Sequence, residues 1–208
     1  MSSSRCTLGD TEERLVGTVG HIKGALLVHL REQVVHRVDE QAWDRLVREA
    51  PVGDRELLGG LVLTASWYPM GVWNRALHAY LANHAPGTAR DETTAYAERV
   101  ADSDMHALFK VALRLASPAM VAARAGSLWS RYFDCGALTP TQVGPTQWRL
   151  RLEAPTAEEE GPSPMLCAYG VVGWAEQALR LTGAKHASAV HSRCRFASAH
   201  HCEYRVSW

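Results

Sequence analysis

Around residue 136 the repeat of apolar side chains shortens from about 3.6 residues to about 2, and few architectures accommodate both halves of such a chain. Upstream, Leu26, Leu27, Leu30, Val34 and Val38 recur at helical spacing from residue 22, and Trp43, Leu46 and Val47 mark a second helix over 40–50 that Pro51 stops. Asp54 suits the cap of a short helix reaching residue 61. Pro69 fits the first turn of the next, whose stripe is Val72, Trp73, Ala76, Leu77, Tyr80 and Leu81. A long helix follows over 90–116. Ser117-Pro118 then pairs a capping hydroxyl with a first-turn proline and opens a helix carrying Leu128, Trp129, Tyr132 and Phe133.

Beyond Gly136 the alternation is that of strands. Strands are predicted over 138–143 and 147–153, turning at Gly144-Pro145, with Trp148, Leu150 and Leu152 on one face and Arg149 and Arg151 on the other. The run Glu158-Glu159-Glu160 reads as a solvated loop. A helix over 165–182 follows, in which Gly170 and Gly173 permit close approach to a sheet or to a symmetry-related helix. Strands over 187–191 and 202–208 complete the pattern, after a short opening strand over 15–19. The fold class is therefore α+β: a helical N-terminal two-thirds packed on a mainly antiparallel sheet with a C-terminal cysteine-containing hairpin.

Residues 1–10 are small and polar and predict a flexible N-terminus, leaving 11–208 as a single domain. Lys plus Arg and Asp plus Glu number 22 each, so no global field attracts a nucleic acid or an anionic membrane. No signal sequence and no membrane-length apolar run is evident, and the expected location is cytoplasmic. Five cysteines in a reducing compartment point to thiols or metal ligands, not to a disulfide framework.

Three of those cysteines fall in the last forty-odd residues. Cys167, His191, Cys194 and Cys202 together would complete the tetrahedral thiolate and imidazole shell that zinc prefers. Unligated core cysteines are the other reading of the same residues.

Cys167, Gly173-Trp174 in a helix, His191-Ser192-Arg193-Cys194 at a strand end and Cys202 seven intervening residues later resemble the 4-vinyl-reductase (hydrocarbon-binding) domain, in the version that serves as sensor of aromatic-responsive bacterial transcription activators. The resemblance covers about 165–208. It implies a structural zinc ion, a hydrophobic small-molecule pocket between helices and sheet, homodimerisation, and a fold related to the transport-particle component and heme nitric-oxide-binding domains. Three departures stand out: His191 replaces an acidic residue, the first spacing is longer by one, and Phe196-Ala197-Ser198-Ala199 replaces a glycine-containing turn.

Nucleophile elbow, zinc-protease, dinucleotide and P-loop motifs are all absent, so no enzyme is expected. Seven tryptophans against three phenylalanines suggest a cavity walled by large rings with polar handles, although tryptophans at helical spacing also serve as plain core. The pocket residues expected are Trp67, Tyr68, Phe109, Trp129, Phe133, Trp148 and Trp174. The leading expectation is a sensor of hydrophobic or aromatic ligands with structural zinc, signalling to a separate effector chain. A scaffold module with a filled core is the alternative, and a heme-based gas sensor a third, since no Y-x-S-x-R signature occurs and no histidine stands out as an axial ligand.

Overall fold

The computed structural model describes residues 19–109 and 116–208, with side chains left aside at 104–109. The expected flexible terminus, most of the opening strand over 15–19, and the Phe109 side chain lie outside the described residues.

Helices come first. Strand β1 (His21–Lys23) leads into α1 (Gly24–Arg37), followed by α2 (Glu40–Glu49) and α3 (Val52–Gly59). Asp39 caps α2 by accepting from the Ala42 N–H at 2.6 Å. Residues 67–69, expected only as a lead into a helix, form β2 (Trp67–Pro69), which pairs antiparallel with β1 before α4 (Met70–His84) begins. Asp54 does not cap α3; it takes a two-pronged ion pair from Arg75 on α4, at 2.7 and 2.9 Å. The acidic loop is also tied down, because Asn74 donates to the Glu158 and Gly161 carbonyls and Arg75 pairs with Glu159.

Helix α5 (Ala89–Phe109) precedes α6 (Pro118–Ala123) and α7 (Ala125–Tyr132), one predicted helix that breaks at Arg124. Ser117 caps α6 as its sequence requires, accepting from the Met120 N–H. Gly136, at φ 71°, makes the turn from helix to sheet, and a Cβ there would sit 2.6 Å from that of Ala154.

The sheet has the order β3-β4-β6-β5, antiparallel throughout, from β3 (Ala137–Gly144), β4 (Gln147–Glu153), β5 (Ser188–Arg193) and β6 (Cys202–Ser207). Trp148, Leu150 and Leu152 alternate inward beside Cys202, Tyr204 and Val206, while the arginines of β4 face out, as the period of 2 demands. Between β4 and β5 a π-helical turn (Leu166–Gly170) runs into α8 (Val171–Leu181). Gly173 does bring α8 close to a neighbour, but the neighbour is α5 of the same chain: a Cβ would meet the Thr94 carbonyl oxygen at 2.8 Å. The close approach that Gly173 permits is thus made within the chain. One buried core joins α1, α4, α5, α7, α8 and the inner sheet face. Among the described residues no helix is long and apolar enough to cross a membrane.

Candidate functional site

Two places in the fold concentrate chemistry, and both touch the π-helical turn. The first is an apolar cavity of about 80 Å3 between α5, α7, α8 and the sheet. Helical spacing puts Trp129 and Phe133 one turn apart on and just beyond α7, where their rings stack at 4.2 Å. Trp129 donates its Nε1 hydrogen to the Cys135 carbonyl at 3.0 Å, which locks the ring. Tyr132 meets Trp174 edge-on at 6.1 Å, closing the wall toward α8. Tyr96 donates to the Leu26 carbonyl at 2.7 Å, and Leu150, Leu166 and Gly170 supply the floor. Among the described residues every lining side chain is aliphatic or aromatic, with one glycine, and Trp174 keeps a buried Nε1 without an acceptor.

Of the expected pocket residues, Trp129, Phe133 and Trp174 line this cavity. Trp67 does not: it is 42% exposed, with the Lys23 ammonium 3.9 Å above its ring. Tyr68 is spent on a turn, accepting from the Leu63 N–H. Trp148 is buried from the inner sheet face but lies away from the lining. Sequence reasoning missed Tyr96 and Tyr132, although both fall within helices it predicted, because composition drew attention to tryptophan.

The second place is the cysteine hairpin. His191, Cys194 and Cys202 present ligand atoms that all lie within 4.8 Å of one another. Cys167 does not join them. Its Sγ accepts from the Arg195 guanidinium at 2.7 Å, which also reaches Cys202 Sγ at 3.6 Å and the Pro162 carbonyl at 2.5 Å. Arg195 is itself buried, 6% exposed, and its guanidinium is 4.5 Å from the centre of the Phe196 ring. Cys202 and Cys167 share this cation as a coupled pair of thiols, with the Cys202 thiol depressed. The hydrogen bond from Cys167 pulls it down to about 4; burial opposes that, while the Arg195 backbone N–H, His191 and the Arg195 charge assist. The Cys167 thiol is pushed well up by its hydrogen bond to Cys202 and by burial. Tyr204 donates to the Cys167 carbonyl at 3.0 Å and stacks on His191 at 4.7 Å, joining hairpin to π-turn. Ser198 takes φ 66°, the left-handed conformation for which glycine is the usual residue, where the resembled family has a glycine-containing turn.

No family model matches the sequence, and no curated protein sequence matches it. Solved structures do. The fold is similar to that of a point mutant of the H-NOX protein from K. algicida in its Fe(II) unliganded state, at 11% identity over 89% of this chain and 96% of that one, with a TM-score of 0.67. An H-NOX protein from S. oneidensis in the Fe(II)NO state aligns at 16% identity over 89% and 98% of the two chains, with a TM-score of 0.63. A structure concerned with heme distortion in the H-NOX family aligns at 5% identity over 90% and 95%, with a TM-score of 0.61.

These likenesses establish an α+β, H-NOX-type fold. They agree with the relation to heme nitric-oxide-binding domains that the sequence implied, while the hydrocarbon-binding family itself finds no support. They also correct the cofactor expected from Cys167, His191, Cys194 and Cys202: the neighbours are heme proteins, not zinc proteins. The local chemistry gives a reason the four residues misled. Arginine, a cation the chain already owns, sits against two of the thiols.

Proposed function

We propose that this protein is a non-enzymatic, ligand-binding sensor domain whose ligand is a small, uncharged, largely apolar molecule held between α5, α7, α8 and the sheet, and that it reports occupancy to a separate effector chain. The apolar lining that the described residues give the cavity carries this reading. Burying such a guest removes apolar surface from water at about 25 cal/mol per Å2, and nothing in the wall repays burial of a charge.

Size narrows the guest. An apolar cavity of about 150 Å3 holds benzene, and this one measures about 80 Å3. A one-ring guest therefore parts the half-buried walls at Tyr132 and Trp174. The open Nε1 donor of Trp174 favours a guest with a single acceptor.

The fold raises heme as the other occupant, and the described residues do not fit it. The lining offers no histidine, cysteine or methionine for iron and no cation for the propionates. Of its two phenols, that of Tyr96 is committed to Leu26 and to Trp73 Nε1. The space is also far below the roughly 300–1,000 Å3 of drug-sized pockets. No chemistry is therefore routed through heme.

Thermal shift and tryptophan fluorescence with acetophenone and ethylbenzene, matched in size, test the reading. Both should raise Tm, acetophenone about fivefold tighter through its acceptor, and Trp174→Phe should equalise them. Stoichiometric hemin uptake with a sharp heme absorption band, and no response to either arene, would overturn it.

A further inference from the structure

The outward face of the sheet carries more cation than its carboxylates neutralise. Arg149, Arg151, Arg193 and Arg205 are all exposed there, against Glu153 and Glu203. Arg151 is taken by Glu153 at 2.5 Å, and Arg205 reaches Glu203 only at 3.8 Å. Among the described residues no ion pair joins Arg149 or Arg193 to a carboxylate. Strand register sets Arg149 directly across from Arg205. Like charges opposite each other on paired strands destabilise a sheet, so the free protein holds this pair at a cost.

A hollow of about 380 Å3 lies on the same face between Arg149, Arg151 and Arg193, edged by Thr139, Thr141 and one carboxylate, Glu203, which strand register sets across from Arg193. His201 also borders it, with its Nδ1 lacking any hydrogen-bond partner.

We propose that this face docks an acidic segment of a partner protein. Its cations are spread over β4, β6 and β5, strands about 4.8 Å apart. A single small anion cannot reach all of them, whereas carboxylates along an extended segment recur about 7 Å apart and can. Guanidinium groups match the planar carboxylates of such a segment two-pronged. The proposal is independent of what fills the cavity.

Fluorescence anisotropy of a fluorescein-labelled hexaglutamate peptide against the full chain tests it. Binding is expected at low ionic strength, weaker at physiological salt, and Arg149→Thr and Arg193→Thr should each weaken it about fivefold. Arg149→Thr should also raise Tm by about 1–2 °C by relieving the Arg149–Arg205 repulsion. The control Arg48→Thr, on α2, should leave both unchanged. Absence of binding at low ionic strength, equal affinities for wild type and the two sheet-face variants, or a fall in Tm for Arg149→Thr would overturn the proposal. So would displacement of the peptide by equimolar inorganic phosphate, which would mark a site for free anions.

Discussion

The aromatic cavity and the arginine–thiol cluster lie on either side of one π-helical turn, and they solve burial in opposite ways. In the cavity Leu166 and Gly170 face a wall of aliphatic and aromatic side chains, and space is left over. In the cluster Cys167, one residue along, is held by a guanidinium that also bonds a carbonyl and a second thiol. Loose apolar packing costs little and leaves room for a guest, whereas a buried charge tolerates no vacancy. A π-turn places successive side chains in these two settings, and such turns recur at functional sites.

The largest effect should come from breaking the cluster. Arg195→Ala leaves the Cys167–Cys202 pair and the Pro162 carbonyl without their partner, and should cost about 3–5 kcal/mol in urea unfolding. The pH dependence sharpens the same point. Cys202 is depressed in the folded chain, so its contribution is fully present above the unfolded thiol's ordinary range near 9 and is lost as pH falls through about 4. Stability should therefore climb between these limits, and Cys202→Ser should flatten the climb.

Packing between the cavity's helices gives the next effect. Gly173→Ala drives a methyl onto the Thr94 carbonyl and should cost about 1–3 kcal/mol, read by thermal unfolding. Filling the cavity has the opposite sign. Ala175→Leu should stabilise by about 0.5–2 kcal/mol and abolish the arene-induced Tm shift, because the space it fills is apolar. If Ala175→Leu destabilised instead, the cavity would be a rigid mould, not slack packing. Smallest of all, Trp67→Ala should change stability by no more than about 0.5 kcal/mol, since that ring is 42% exposed.

Much of this was legible in residue order. The shift in period near Gly136 predicted helices followed by an antiparallel sheet, and local signals such as Ser117-Pro118 and the alternation from Trp148 to Leu152 need no tertiary help, because each acts within a turn or a pleat. The β1–β2 pair escaped notice because each strand is three residues long and is stabilised by a partner over forty positions away. The break at Arg124, inside one continuous apolar stripe, is likewise silent in sequence.

The sites divide the same way. Composition pointed to ringed walls, and Trp129, Phe133 and Trp174 were nameable because helical spacing puts them on inward faces. That Trp67 faces solvent depends on where β2 lands. The cysteines of the hairpin could be counted along the chain, but Arg195, between Cys194 and Cys202, carries no motif. Its role exists only because the hairpin loop folds back onto the π-turn, where burial makes a guanidinium seek the nearest sulfur and carbonyl. Periodicity is a local property and survives in the order of residues; a charge's partner is chosen by what burial brings within about 3 Å, and that is settled when the chain closes on itself.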